Sequence, residues 1–198
     1  MGRKRNWDRA EVLAAAMGLF RRRGFLGAST RDLEQATGLH PGSLYREFTS
    51  KEELFRAALA AYNVEVVQAR VQRYLLDSAD PLVGIREFFV SAFETGVDPD
   101  PGCLLTNSAV ESFGLPEAGP EVRQGLDIIE AGFLAALRKA QSLNLLPELP
   151  RTDALAAQLL TLYQGLLVLV RAGTPSAKLH MITTSSMASI GVAREAKR

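Results

Sequence analysis

The chain has 198 residues, 47% of them hydrophobic, with one cysteine, two histidines and a formal net charge of +1. That length allows one large domain or two small ones with a sizeable core, and a single cysteine excludes an intrachain disulfide framework. Residues 1–20 lack an apolar stretch followed by a small-residue cleavage site, so no signal peptide is expected. The longest apolar run, residues 159–170, is interrupted by Thr161 and Gln164. It is shorter than the ~18 residues of a membrane span, so a cytoplasmic protein with no membrane partner is expected. The charge is unevenly spread, +4 over residues 1–60 and −3 over residues 61–198. A basic head on a mildly acidic body suits a polyanion-binding end.

Nearly all periodicity is helical. Val12, Ala16, Leu19 and Phe20 share one helix face, and "RRRG" with Gly24 is expected to stop that first helix. Ser29 opens a second helix, with Asp32 completing a capping box. Gly38 breaks it after about two turns. Pro41 suits the first turn of a short third helix. Ser50 then caps a fourth helix, with Glu53 expected to complete a second capping box. That fourth helix meets no breaker before Asp77–Pro81. Further helices are expected at about 82–96, 102–113, 119–142, 152–172 and 177–193, separated by joints rich in Pro, Gly and Asp. No alternating strand pattern of useful length is present, so the predicted fold is all-α, about nine helices.

Two short helices joined by a glycine turn, braced by a preceding helix, form a helix-turn-helix unit, whose second helix enters the DNA major groove. Leu39, Leu44 and Phe48 would anchor the short helix inward, leaving His40, Pro41, Gly42, Ser43, Tyr45 and Arg46 outside. Ser43 and Tyr45 offer hydroxyls to phosphate and Arg46 a cation. Lys51 stands at the start of the fourth helix, whose free N–H groups favour anions.

The segment "ASTRDLEQATGLHPGSLYREFTSKEELF", residues 28–55, preceded by "AAAMGLFRRRGF", resembles the TetR family of bacterial transcriptional regulators. The resemblance covers residues 6–66 strongly and the remainder in general plan. It implies a DNA-binding domain over 6–66, an effector-binding and dimerisation domain over 67–198, a palindromic double-stranded DNA operator as partner, and no enzymatic activity. It implies phosphate contacts by Thr30, Ser43, Tyr45 and Lys51, and groove-facing positions for Arg31, His40, Pro41, Gly42 and Arg46. Pro41 departs from the polar or basic residue that many relatives carry there, leaving apolar contact with a thymine methyl as its route to a base. The basic "GRKRN" at 2–6 is either an arm reaching adjacent DNA or a solvated tail.

In the 152–172 helix, Leu155, Leu159, Leu162, Leu166 and Leu169 form one stripe and Leu160, Tyr163, Leu167 and Val170 another. A helix apolar nearly all round must be buried on several sides. We therefore expect a homodimer through the leucine stripe together with Ile182 and Ile190, a central core helix in a monomer being the rival reading. Phe89, Phe93, Leu104, Phe113, Phe133 and Tyr163, with Asn107 and Gln164 as polar handles and Cys103 alongside, form the candidate pocket for a small apolar or aromatic effector. Cys103 belongs to the first turn of a helix, where a thiol can be activated; the plainer reading is a small buried hydrophobe. One cysteine and two distant histidines offer no metal-ligand spacing, and no cofactor is expected. A repressor released by a ligand leads. A constitutive DNA binder, a thiol-based sensor and an enzyme using Cys103 are its rivals.

Overall fold

The computed structural model describes residues 7–94, 102–111, 119–146 and 151–189. Every regular element among these residues is helical: α1 (Arg9–Gly27), α2 (Thr30–Thr37), α3 (Pro41–Phe48), α4 (Lys51–Tyr62), α5 (Pro81–Val90), α6 (Leu104–Glu111), α7 (Gly119–Ser142), α8 (Thr152–Arg171) and α9 (Ser176–Ser189). The helix begun by α4 runs on through two π-helical stretches, Asn63–Gln68 and Val71–Leu76, where a regular α-helix is expected from the periodicity.

The chain packs as two units. The first holds the described residues of Met1–Glu65 and Cys103–Gln124; the second holds those of Val66–Gly102 and Gly125–Arg198. α6 and the first turn of α7 thus pack with the N-terminal helices.

In the first unit, Phe20, Phe25 and Phe55 bring their rings together, with centroids 4.8 Å (Phe20–Phe55) and 5.0 Å (Phe25–Phe55) apart. All three are almost fully buried and tie α1 to α4. Gly24 does not end α1. It takes φ 71, ψ 176, a non-helical conformation, and the helix resumes through Gly27. The expected stop is a bend, because Phe25 is drawn into the aromatic cluster and so holds the chain beyond the glycine.

In the second unit, Phe88, Phe89, Phe133 and Tyr163 pack ring against ring, with centroids 4.8–5.8 Å apart across four contacts. The Arg70 guanidinium lies 5.0 Å over the Phe88 ring and donates to the Phe88 carbonyl at 3.0 Å. The Ser91 hydroxyl donates to the same carbonyl at 2.9 Å. With Phe88 O so occupied, the Ala92 N–H turns to Phe89 O, and α5 ends at Val90, earlier than the expected 96.

On α8, Leu155, Ala156, Leu159, Tyr163, Leu166, Leu167 and Val170 are buried. The helix is long and apolar enough to cross a membrane by length and composition, with mean hydropathy 1.5. Its inward residues pack within this unit. Leu155, Leu159 and Leu166 are taken up by the chain's own core and do not form the outward seam expected of them. A helix apolar on two stripes does not say which stripe turns inward. Leu162, Leu169 and Ile182 are half-buried, and Ile190 lies outside the described residues. The solvent face of α8 carries Ala157, Thr161, Gly165 and Val168, the last 52% exposed.

Phe133 is fully buried at the centre of the second unit's ring cluster. Phe133→Ala should destabilise the protein by about 3–5 kcal/mol, read as a lower urea midpoint at unchanged slope in far-UV circular dichroism.

Candidate nucleic-acid interface

The turn between α2 and α3 is built from local chemistry. The Ser29 hydroxyl accepts the Asp32 N–H at 3.1 Å, and Asp32 Oδ2 accepts the Ser29 N–H at 3.0 Å. This reciprocal box starts α2. Arg23 reaches the other Asp32 oxygen at 2.5 Å, bracing α1 against α2. The Ser29 hydrogen bonds, with Arg23 adding to them, hold the Asp32 carboxyl below its ordinary pKa.

Gly38 ends α2 at φ 68, ψ 10, and its N–H bonds to Glu34 O at 2.9 Å. This left-handed conformation is one that glycine adopts without a Cβ penalty. His40 then turns the chain, and Pro41 opens α3. Leu33, Leu44 and Phe48 are at most 1% exposed and pin both short helices to the core. Arg9 of α1 lies 5.3 Å over the Phe48 ring and 3.5 Å from the Glu47 carboxylate.

The nine positions expected to meet DNA differ in exposure. Thr30, Arg31, His40, Gly42 and Arg46 are exposed; Pro41, Ser43, Tyr45 and Lys51 are half-buried. The structure brings Thr30 and Tyr45 together, their hydroxyls 3.2 Å apart across the α2–α3 junction. His40 Nδ1 sits 2.9 Å from Glu34 Oε1, tying its ring to α2. Nothing lies within 4 Å of where a Gly42 Cβ would stand, so the chain's own packing does not demand a glycine there. The open space is on the outer face.

Ser50 caps α4 by accepting the Glu53 N–H at 3.1 Å. The expected second capping box is not closed. The Glu53 carboxylate accepts the Thr49 hydroxyl instead, because Thr49, at φ 52, turns its side chain onto the first turn of α4. Lys51 Nζ rests 4.3 Å over the Phe25 ring. Burial pulls the Lys51 ammonium pKa down, while Glu52 and Glu111 oppose it.

Of the nine positions expected to line an effector pocket, eight lie among the described residues, some in each unit. Phe89, Phe133 and Tyr163 are packed within the second unit's core. Phe93 meets the His180 ring edge-on at 4.9 Å, and Gln164 is half-buried. Cys103, Leu104 and Asn107 belong to the first unit. There the Tyr62 hydroxyl donates to the buried Cys103 sulfur at 3.4 Å, and Asn107 Nδ2 donates to Arg21 O at 3.2 Å. Phe113 and the arm at 2–6 lie outside the described residues. An open concavity of about 770 Å³ lies elsewhere, on the outer face of α8, lined by Arg151, Asp153, Ala157, Thr161 and Leu162 with Glu130 of α7. No cluster of His, Cys, Asp and Glu able to hold a metal occurs among the described residues.

A capped α2, a glycine turn and a donor-rich α3, pinned on an all-helical framework, are the features of a helix-turn-helix regulator. Residues 12–58 match the sequence profile of the bacterial regulatory proteins, tetR family. The chain is 32% identical over 109 residues to the HTH-type transcriptional repressor ComR of Escherichia coli, covering 54% of this chain and 52% of that one. It is 33% identical over 89 residues to the repressor KstR2 of Mycobacterium tuberculosis, covering 45% and 44%. The match thus spans about half the length of these curated relatives. A solved structure of a cysteine variant of the TetR family regulator CifR, complexed with 26-bp double-strand operator DNA, superposes with a TM-score of 0.81 at 28% identity, over 94% of this chain and 99% of that one. Residues 12–58 thus carry a tetR-family regulatory domain, and the described residues share the all-helical fold of the CifR structure.

Because the folded-state pKa of Asp32 is depressed, its contribution to stability is present above its unfolded value, 3.8, and is lost as pH falls through the folded value. An NMR titration of its carboxyl carbon should give a midpoint below 3.8 in the wild type, moving up towards 3.8 in Ser29→Ala.

Proposed function

We propose that this chain is a homodimeric transcriptional repressor that binds a palindromic DNA operator through α3 and is released by a small apolar or aromatic ligand. Residues 6–66 form the DNA-binding region, and residues 67–198 the effector-binding and dimerisation region. The observation that carries the DNA reading is the outer face of α2 and α3. There the Thr30 and Tyr45 hydroxyls stand 3.2 Å apart, Arg31 and Arg46 are exposed, and a Cβ at Gly42 would meet open space. Thr30, Ser43, Tyr45 and Lys51 take phosphate oxygens, which set the register. Arg31, His40, Pro41, Gly42 and Arg46 face the groove, where Arg46 is the side chain suited to a guanine edge. Such a protein works in the cytoplasm, on the chromosome.

Selection from a random duplex pool should enrich an inverted repeat. On that repeat Tyr45→Phe should weaken binding at every base sequence alike. Arg46→Ala should relax preference at one position per half-site by about 1–3 kcal/mol. A pool that yields no symmetric motif would count against the proposal.

Dimerisation is assigned to the faces of α8 and α9 that the chain's own core leaves uncovered, with Leu162, Leu169 and Ile182 half-buried and Val168 and Met181 exposed. Leu162→Glu should give a folded monomer in sedimentation at micromolar concentration, where the wild type sediments as a dimer. A wild-type monomer would defeat this assignment.

The effector reading rests on the aromatic lining of the second unit. A ligand there must separate the rings of Phe89, Phe133 and Tyr163, which touch one another. That packing also supports the second reading, a DNA binder that answers to no ligand. A compound that shifts the melting temperature and lowers operator affinity together would decide for the first.

A further inference from the structure

Gly24 splits one backbone pair of α1. In an unbroken helix the Phe25 N–H would bond to the Arg21 carbonyl, four residues back. With Gly24 at φ 71, ψ 176, the two groups point apart and each needs another partner. α6 supplies both. Asn107 Nδ2 donates to Arg21 O at 3.2 Å, and Glu111 Oε2 accepts from Phe25 N at 2.7 Å. Asn107 and Glu111 stand four residues apart, hence one turn apart on one face of α6. A donor and an acceptor on that face therefore meet an acceptor and a donor on α1. A Cβ at position 24 would collide with the Glu111 carboxylate, so the missing side chain is also what seats it.

The consequence reaches the DNA-contact face. The Phe25 backbone is held by Glu111, its ring packs on Phe55 at 5.0 Å, and Lys51 Nζ rests on it at 4.3 Å. We propose that Asn107 and Glu111 are positioning residues for DNA binding: by completing the split pair of α1 they fix Phe25, and through its ring they fix the Lys51 ammonium at the start of α4. The inference rests on the reading of Lys51 as a phosphate contact. It also accounts for α6 packing with the N-terminal helices. Glu111 adds a second effect, its charge favouring the ammonium form of Lys51 against burial.

The test uses the full chain and a fluorescein-labelled 30-bp duplex of mixed sequence, titrated across potassium chloride concentrations. Lys51→Ala should lower the slope of log affinity against log salt by about 0.9, the value of one phosphate contact. Glu111→Ala, at unchanged helicity, should lower it by a similar amount, and the double variant should lose no more than either single one. Glu111→Gln keeps an acceptor for the Phe25 N–H and should recover most of the slope. In the absence of DNA, amide exchange at Phe25 should quicken about tenfold in Glu111→Ala. If Glu111→Ala loses helicity, Asn107→Ala, which breaks only the other half of the pair, carries the same comparison. Unchanged exchange at Phe25, or slope losses that add in the double variant, overturns the proposal. A slope untouched by Lys51→Ala defeats the phosphate reading and with it the DNA half of the inference, while the exchange rate still decides whether α6 holds the bend.

Discussion

Three phenylalanine rings carry the first unit. Phe20 and Phe25 lie on either side of the bend in α1, and Phe55 meets both from α4. A helix that ended at Gly24 could offer Phe20 alone; bending lets it offer two rings to one partner. Burial of side chains of this size is worth several kcal/mol, more than the cost of one strained residue or one broken helical bond. Everything outward of this cluster inherits its placement. α2 is braced on α1 by Arg23 and Asp32, α3 is pinned through Leu44 and Phe48, and Lys51 rests on Phe25 itself.

Short helices such as α2 and α3, eight residues each, are too short to be stable in isolation. Their stability is borrowed from caps and anchors. Ser29 with Asp32 closes the start of α2, Gly38 its end, and Pro41 preorganises the start of α3. The inward side is limited to a few apolar anchors. The outward side is left free for small and polar residues, which is why hydroxyls, glycine and arginine sit at such density around α3.

The second unit solves a different problem. α8 is apolar nearly all round, and a single chain covers only part of it. The covered part packs against the aromatic cluster around Phe133 and Tyr163; the uncovered part presents Thr161, Gly165 and Val168. Small and short residues on that outer face allow close approach by another helix. The proposed dimer uses that surface.

Much was legible in the sequence because it is local. Capping residues, the glycine turn, the proline at a helix start and the 3.6-residue period each act within a few positions. So α2, α3, the start of α4 and the long α7 and α8 were readable in order, as was the outer face of α3. What the sequence alone did not decide depends on partners far along the chain. Gly24 read as a stop, because the pull of Phe55 on Phe25 and the replacement partners from Asn107 and Glu111 lie about 30 and 86 residues away. Asn107 read as a pocket handle, and its bond to the Arg21 carbonyl was not legible. Leu155, Leu159 and Leu166 read as an outer seam and are core, since two equal stripes leave the helix's rotation to whatever packs against it. Periodicity determines that a face is buried; only tertiary packing decides which face, and against what.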